Sequence, residues 1–286
     1  MSIGVELIGT YEAQWGEGPI WHDNRLLYVD IEGHKVVQFD PGSGSEDIID
    51  VGERVGTVVP RARGGLVIAG DNGFAFLDSN TGSVSPIADP EPDKKPDNRF
   101  NDGKCDPAGR FWAGTISTVK KTGDAALYML DAEGGVHLRF PNVTNSNGLC
   151  WSKDTRTFYY IDTPSKKVRA FDFDNSNGEI SNERTAIDTQ RINSSPDGMA
   201  IDENENLWIA FCRGSAVVCF DPNSGKELER VDLPVSGVTA CAFGGSDLKT
   251  LYITTGRFPN QVEPDAGRLF VAEPGVAGLP SFSYAG

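Results

Sequence analysis

Leu27-Tyr28-Val29-Asp30-Ile31-Glu32-Gly33-His34-Lys35-Val36-Val37-Gln38-Phe39-Asp40 reads as two short apolar runs separated by a turn, the second ending in an acid. The phrase returns five times, its first runs being Leu66-Val67-Ile68, Phe111-Trp112-Ala113, Tyr159-Tyr160-Ile161, Leu207-Trp208-Ile209 and Leu251-Tyr252-Ile253. Their first residues are 39, 45, 48, 48 and 44 positions apart. A period of that length, with each unit reading as short strands, predicts an all-β, six-bladed β-propeller with four antiparallel strands per blade. Six such units fill the 286 residues, so residues 1–286 are expected to form a single propeller domain.

Working outward, an earlier strand precedes each first run, as in Gly18-Pro19-Ile20-Trp21, Gly148-Leu149-Cys150-Trp151 and Gly198-Met199-Ala200-Ile201. These are the expected innermost strands, lining the axis. The acids that close the second runs are Asp40, Asp78, Asp131, Asp172, Asp221 and Glu273. Glycine follows within a few residues, so all six are expected to form turns between third and fourth strands. From first run to acid the distance is 12 to 14 residues in four blades, but 20 in the third and 22 in the sixth. The additions, Thr115–Asp124 and Thr255–Ala266, should overhang the rim where the inner strands begin, as should the proline-rich entry Asp89–Asn98. Long loops gathered on one face of a rigid scaffold point to a binding site there. Val5–Thr10 has no blade of its own and is expected to pair with the last one, closing the ring.

The residue before each inner-strand glycine is Glu17, Asp102 (preceded by Asn101), Asn147 and Asp197 in blades one, three, four and five. In blades two and six the nearest counterparts, Gly56 and Val238, carry no oxygen side chain. Taken singly, Asp-Gly and Asn-Gly make turns. Four in register around one axis form a set of oxygen ligands suited to a hard divalent cation such as Ca²⁺, Mg²⁺ or Mn²⁺. Spacing leaves open whether Asn101 or Asp102 points inward. Arg99 and Asn101 alternate and can share one face of an extended segment, where Arg99 could hold a ligand oxygen.

The formal charge of −15 argues against nucleic acid and anionic membranes as partners and suits a neutral or cationic ligand. No G-x-S-x-G elbow, P-loop or dinucleotide fingerprint is present, and His22, His34 and His137 do not recur in register. Cys105, Cys150 and Cys241 occupy matching inner-strand positions, beside Ile20 and Ala200 in other blades, and read as small core residues. An odd count of five cysteines with no export signal predicts reduced thiols and a cytoplasmic location.

Gly16-Glu17-Gly18-Pro19, Arg99-Phe100-Asn101-Asp102-Gly103-Lys104, Asp106-Pro107-Ala108-Gly109-Arg110, Ser146-Asn147-Gly148-Leu149, Pro196-Asp197-Gly198-Met199 and the ending Tyr284-Ala285-Gly286 together resemble the gluconolactonase and regucalcin (senescence marker protein) family. The resemblance runs from the first blade to the carboxyl terminus. It implies a six-bladed propeller with one divalent cation (Ca²⁺, Mn²⁺, Zn²⁺ or Mg²⁺) in the central channel. It implies Glu17, Asn147 and Asp197 as metal ligands, Asp197 also as general acid/base, and Arg99 and Asn101 as substrate-binding residues. It favours Asn101 over Asp102 as the inward residue. The implied reaction is hydrolysis of a small-molecule sugar lactone to the aldonic acid, with no obligate protein partner. The alternatives are a related metal-dependent esterase or phosphotriesterase propeller and a non-catalytic calcium-binding regulator. One departure stands out. The regucalcin branch carries an acidic pair in the loop after Gly114-Thr115, where this chain reads Ile116-Ser117-Thr118-Val119-Lys120-Lys121. The acidic substrate contact is therefore lost, or replaced by Ser117 or Lys120.

Overall fold

The structure, a computed structural model, describes residues 3–286. Its strands form six four-stranded antiparallel sheets in a ring, the six-bladed propeller expected from the repeats. The inner strands are Gly16–His22, Val55–Pro60, Asn98–Cys105, Ser146–Trp151, Ser195–Ile201 and Val238–Gly244. They are almost wholly buried, because each is packed on both faces by neighbouring blades. Outer strands such as Ser45–Asp50 and Lys226–Asp232 are mostly exposed and correspondingly polar. The apolar core is thus a set of interblade layers; one joins Val29, Ile68, Phe74, Phe100 and Phe111 across the first three blades.

Val5–Ile8 pairs antiparallel with Leu269–Ala272, so the amino-terminal segment supplies the outer strand of the sixth blade. This explains an error of turn assignment at Glu273. No hairpin follows it, and its carboxylate instead accepts a hydrogen bond from Thr250 Oγ1 at 2.7 Å. Asp40, Asp78, Asp131 and Asp221 do cap their turns, accepting backbone N–H groups of Gly42, Asn80, Glu133 and Asn223 at 2.8–3.0 Å. Asp172 does not. The strand Lys167–Asp174 runs two residues further, so Asp174 caps the turn and Asp172 binds Asn182 and Arg184 on the exposed face.

The long loops share one rim, as expected. Thr118 N–H donates to Asp97 O (2.7 Å) and Asn98 Nδ2 to Asp124 O (3.0 Å), tying two of them together. The third is fastened to the entry of blade one by Arg257 N–H to Gln14 O and Ala13 N–H to Gly267 O, both 2.9 Å. On the opposite rim the carboxyl-terminal segment forms a strap. It bonds to Leu248 and Ile201 at residues 278–279, to Trp21 at Ser281, and to Pro60, Asp131 and Gly109 at residues 284–285. Among the described residues no helix is long and apolar enough to cross a membrane.

Candidate active site

All six inner strands open with a β-bulge, where register slips against the second strand: at Glu17/Ile20, Val55/Thr57, Phe100/Asp102, Asn147/Leu149, Pro196/Met199 and Val238/Ala240. A bulge re-aims side chains that a regular strand would send into an interblade layer. Here it turns polar side chains toward the axis. Glu17, Asn101, Asp102, Asn147 and Asp197 are all at most 7% exposed.

These residues are linked across three blades. Arg99 Nη1 donates to Asn101 Oδ1 (2.9 Å) and to Phe100 O (2.8 Å). Asn101 Nδ2 donates to Ser146 O (2.8 Å) and Asn147 Oδ1 (3.2 Å). Asn147 Nδ2 in turn donates to Thr163 Oγ1 at 2.8 Å, whose hydroxyl donates to Pro196 O at 2.9 Å, the carbonyl joined to Asp197. Asn147 Nδ2 is thereby anchored, leaving its Oδ1 on the side of Asn101. Thr163 lies in a short 3-10 turn outside the repeat, so no register argument pointed to it.

The bulge separates Asn101 from Asp102. Asn101 is the residue without a partner on the second strand and reaches blade four, whereas Asp102 pairs with Gly114 and stays near Glu17 and Asp197. Both are buried, so alternation could not separate them. Burial, and then the charge of Asp102, push the Glu17 carboxyl up to about 8. Burial raises Asp197 well above the carboxylate range, the charges of Glu17 and Asp102 add to this, and no donor opposes them. Burial raises Asp102 too, against the pull of Lys104 and the Gly103 N–H. Three acids are therefore crowded at one mouth with few hydrogen-bond donors.

An oxygen-seeking dication would relieve that repulsion, and this donor set fits one: two carboxylates, Glu17 and Asp197, with the carboxamide oxygen of Asn147. Among the described residues no three His, Cys, Asp or Glu side chains are grouped as a metal site, and the donor set named here contains only two of that kind. Arg99 is largely buried, and its Nε–H has no partner among the described residues. In the loop after Thr115, Ser117 is 2% exposed and its hydroxyl accepts the Lys121 N–H at 3.2 Å. That hydroxyl is committed to its own turn, which leaves Lys120, exposed at the loop tip, as the only one of the two expected substitutes still open to solvent.

Residues 15–257 match the family model described as SMP-30/Gluconolactonase/LRE-like region. The chain belongs to this family. Among its relatives, regucalcin of Danio rerio is 44% identical over 295 residues, covering 100% of this chain and 99% of the relative. Among solved structures, a calcium-binding regucalcin from Agrobacterium tumefaciens superposes with a TM-score of 0.93 at 25% identity, covering 99% of this chain and 98% of that one. A luciferin-regenerating enzyme superposes with a TM-score of 0.91 at 28% identity, covering 99% and 100%. Membership of the SMP-30/gluconolactonase family agrees with the resemblance carried by the motifs, and these matches span the entire ring.

Proposed function

We propose that the protein is a divalent-metal-dependent lactonase that opens a sugar lactone to its aldonic acid. The observation that carries this reading is the burial of Glu17 and Asp197 within reach of each other's charge, with Asn147 tied through Thr163 Oγ1 to the Pro196 carbonyl next to Asp197. Glu17, Asn147 and Asp197 would hold the cation, which when bound supplies Lewis-acid polarisation of a carbonyl and an acidified water. Asp197 takes a proton from the attacking water and returns it to the departing ring alkoxide. Arg99 and Asn101 form a hydrogen-bonded pair in which both Asn101 N–H groups are already engaged, so Arg99 is the member left to donate to hydroxyl and carbonyl oxygens of a sugar. Their rigid setting supplies orientation. The family's gluconolactonase name supports the lactone as substrate class.

Elemental analysis of the purified protein, then gluconolactone hydrolysis before and after chelation, tests the reading. The expected result is one bound dication and turnover that chelation removes and added metal restores. Turnover indifferent to exhaustive chelation would overturn metal dependence. A second reading, calcium binding without hydrolysis, draws on the calcium-binding name of the Agrobacterium relative. It predicts stoichiometric Ca²⁺ uptake with no turnover on any lactone, aryl ester or phosphotriester.

A further inference from the structure

A large cavity lies at the other end of the axis. It holds about 350 Å³ and is lined where the inner strands end, by Ile20, Cys105, Cys150, Trp151, Ala200 and Phe243, with the carboxyl-terminal strap (residues 279–282) along its wall. That size falls at the lower end of the ~300–1,000 Å³ typical of small-molecule sites. Lys104 closes it off from the acids. From blade three its ammonium reaches the Met199 carbonyl of blade five, crossing the channel between Asp102 and the cavity.

Three observations describe what would occupy it. The walls are mainly aliphatic and aromatic. No Asp or Glu lines the cavity, in a chain with 41 of them, whereas Lys104 and Lys153 do. Neither lysine has a carboxylate within 4 Å among the described residues. Trp151, 5% exposed, lines the cavity and its indole N–H has no acceptor, a rare condition for a buried donor. From these we infer that the rear cavity is a second ligand site, for a medium-chain carboxylic acid. Its carboxylate binds Lys104, and its alkyl chain lies along Ile20, Ala200 and Phe243. The inference is independent of the reaction at the front mouth.

Titration calorimetry with octanoate, below its micelle-forming concentration, tests this on the full chain. One saturable site with Kd below about 1 mM is expected. Ala200→Phe fills the cavity and should abolish binding; Lys104→Met should weaken it at least tenfold, as should replacing octanoate by 1-octanol. Phe282, 37% exposed on the strap, provides a variant with little folding risk. Phe282→Asp sets a negative charge at the entrance and should weaken octanoate at least tenfold while lactone turnover is unchanged. Circular dichroism checks each variant's fold. Absence of binding to the wild type at millimolar octanoate overturns the proposal. So does an affinity that survives both Phe282→Asp and Lys104→Met, which would mean adventitious association elsewhere.

Discussion

Blades one, three, four and five bring an oxygen side chain to the front mouth; blades two and six do not, although their inner strands carry the same bulge. What the latter bring is a threonine. Thr57 Oγ1 donates to Gly103 O at 2.9 Å, and Thr239 Oγ1 donates to Gly16 O at 2.6 Å. The two hydroxyls grip the strands that present Asp102 and Glu17. Gly56 has a steric role as well, since a Cβ there would collide with the Phe100 carbonyl just ahead of Asn101. The same local geometry thus serves two purposes. Four blades bring oxygen side chains to the front mouth, and the other two bond the strands that carry two of them.

The comparison breaks if substitutions in the two groups have the same consequences. The largest effect should come from Asp197→Asn, which removes the proposed proton carrier and should cut lactone turnover by about 10²–10⁴-fold. Because burial and the neighbouring acids already disfavour its ionised form, the neutral amide should leave the melting temperature of the metal-free protein no lower; thermal melts with steady-state kinetics would check both. Glu17→Gln should cost more metal affinity, by calorimetry, than loss of any outer partner. It also carries a pH signature. The native Glu17 holds its proton up to about 8, while the unfolded chain releases it near 4.5. Its stabilising contribution is complete below the unfolded value and is lost as pH rises to about 8, by up to about 1.4 kcal/mol per pH unit. In chelator, the melting temperature of Glu17→Gln should therefore gain on wild type between about pH 5 and 8. A constant difference would place the proton elsewhere.

Thr163→Val frees the Asn147 amide to rotate and should weaken metal binding about 10–100-fold, with Thr163→Ser restoring it. In the supporting blades the cost moves to stability. Gly56→Ala should lower it by about 1–3 kcal/mol through overpacking against the Phe100 carbonyl. Thr239→Val should cost about 1 kcal/mol in denaturant melts and leave metal affinity unchanged. If Thr239→Val weakened metal as much as Thr163→Val, the division between the two groups of blades would be wrong.

The ring was legible because its period is carried by strand-forming residues whose type the core enforces. Cys105, Cys150 and Cys241 show this: all three are buried at equivalent positions, as their small size in register implied. The candidate site was legible as far as it repeats, which brought Glu17, Asp102, Asn147 and Asp197 to notice together. It was illegible where the backbone leaves the repeat. A slip of one residue at Asn101 defeats alternation, so neighbouring side chains are both buried yet serve different blades. Thr163 is set by a turn with no counterpart in register. Asp172 was misread for a similar reason, since a hairpin two residues longer transfers the capping role to Asp174. Thr57 and Thr239 follow the counterparts proposed for their blades by one position or sit beside them, but a hydroxyl bonded to a carbonyl one blade away leaves no local mark in sequence.

The pairing of Val5–Ile8 with Leu269–Ala272 has a consequence for biosynthesis. Val5–Ile8 is synthesised long before Leu269–Ala272 and must wait for it before it finds its partner. Until then both strands are unmatched edges, and the circle stays open.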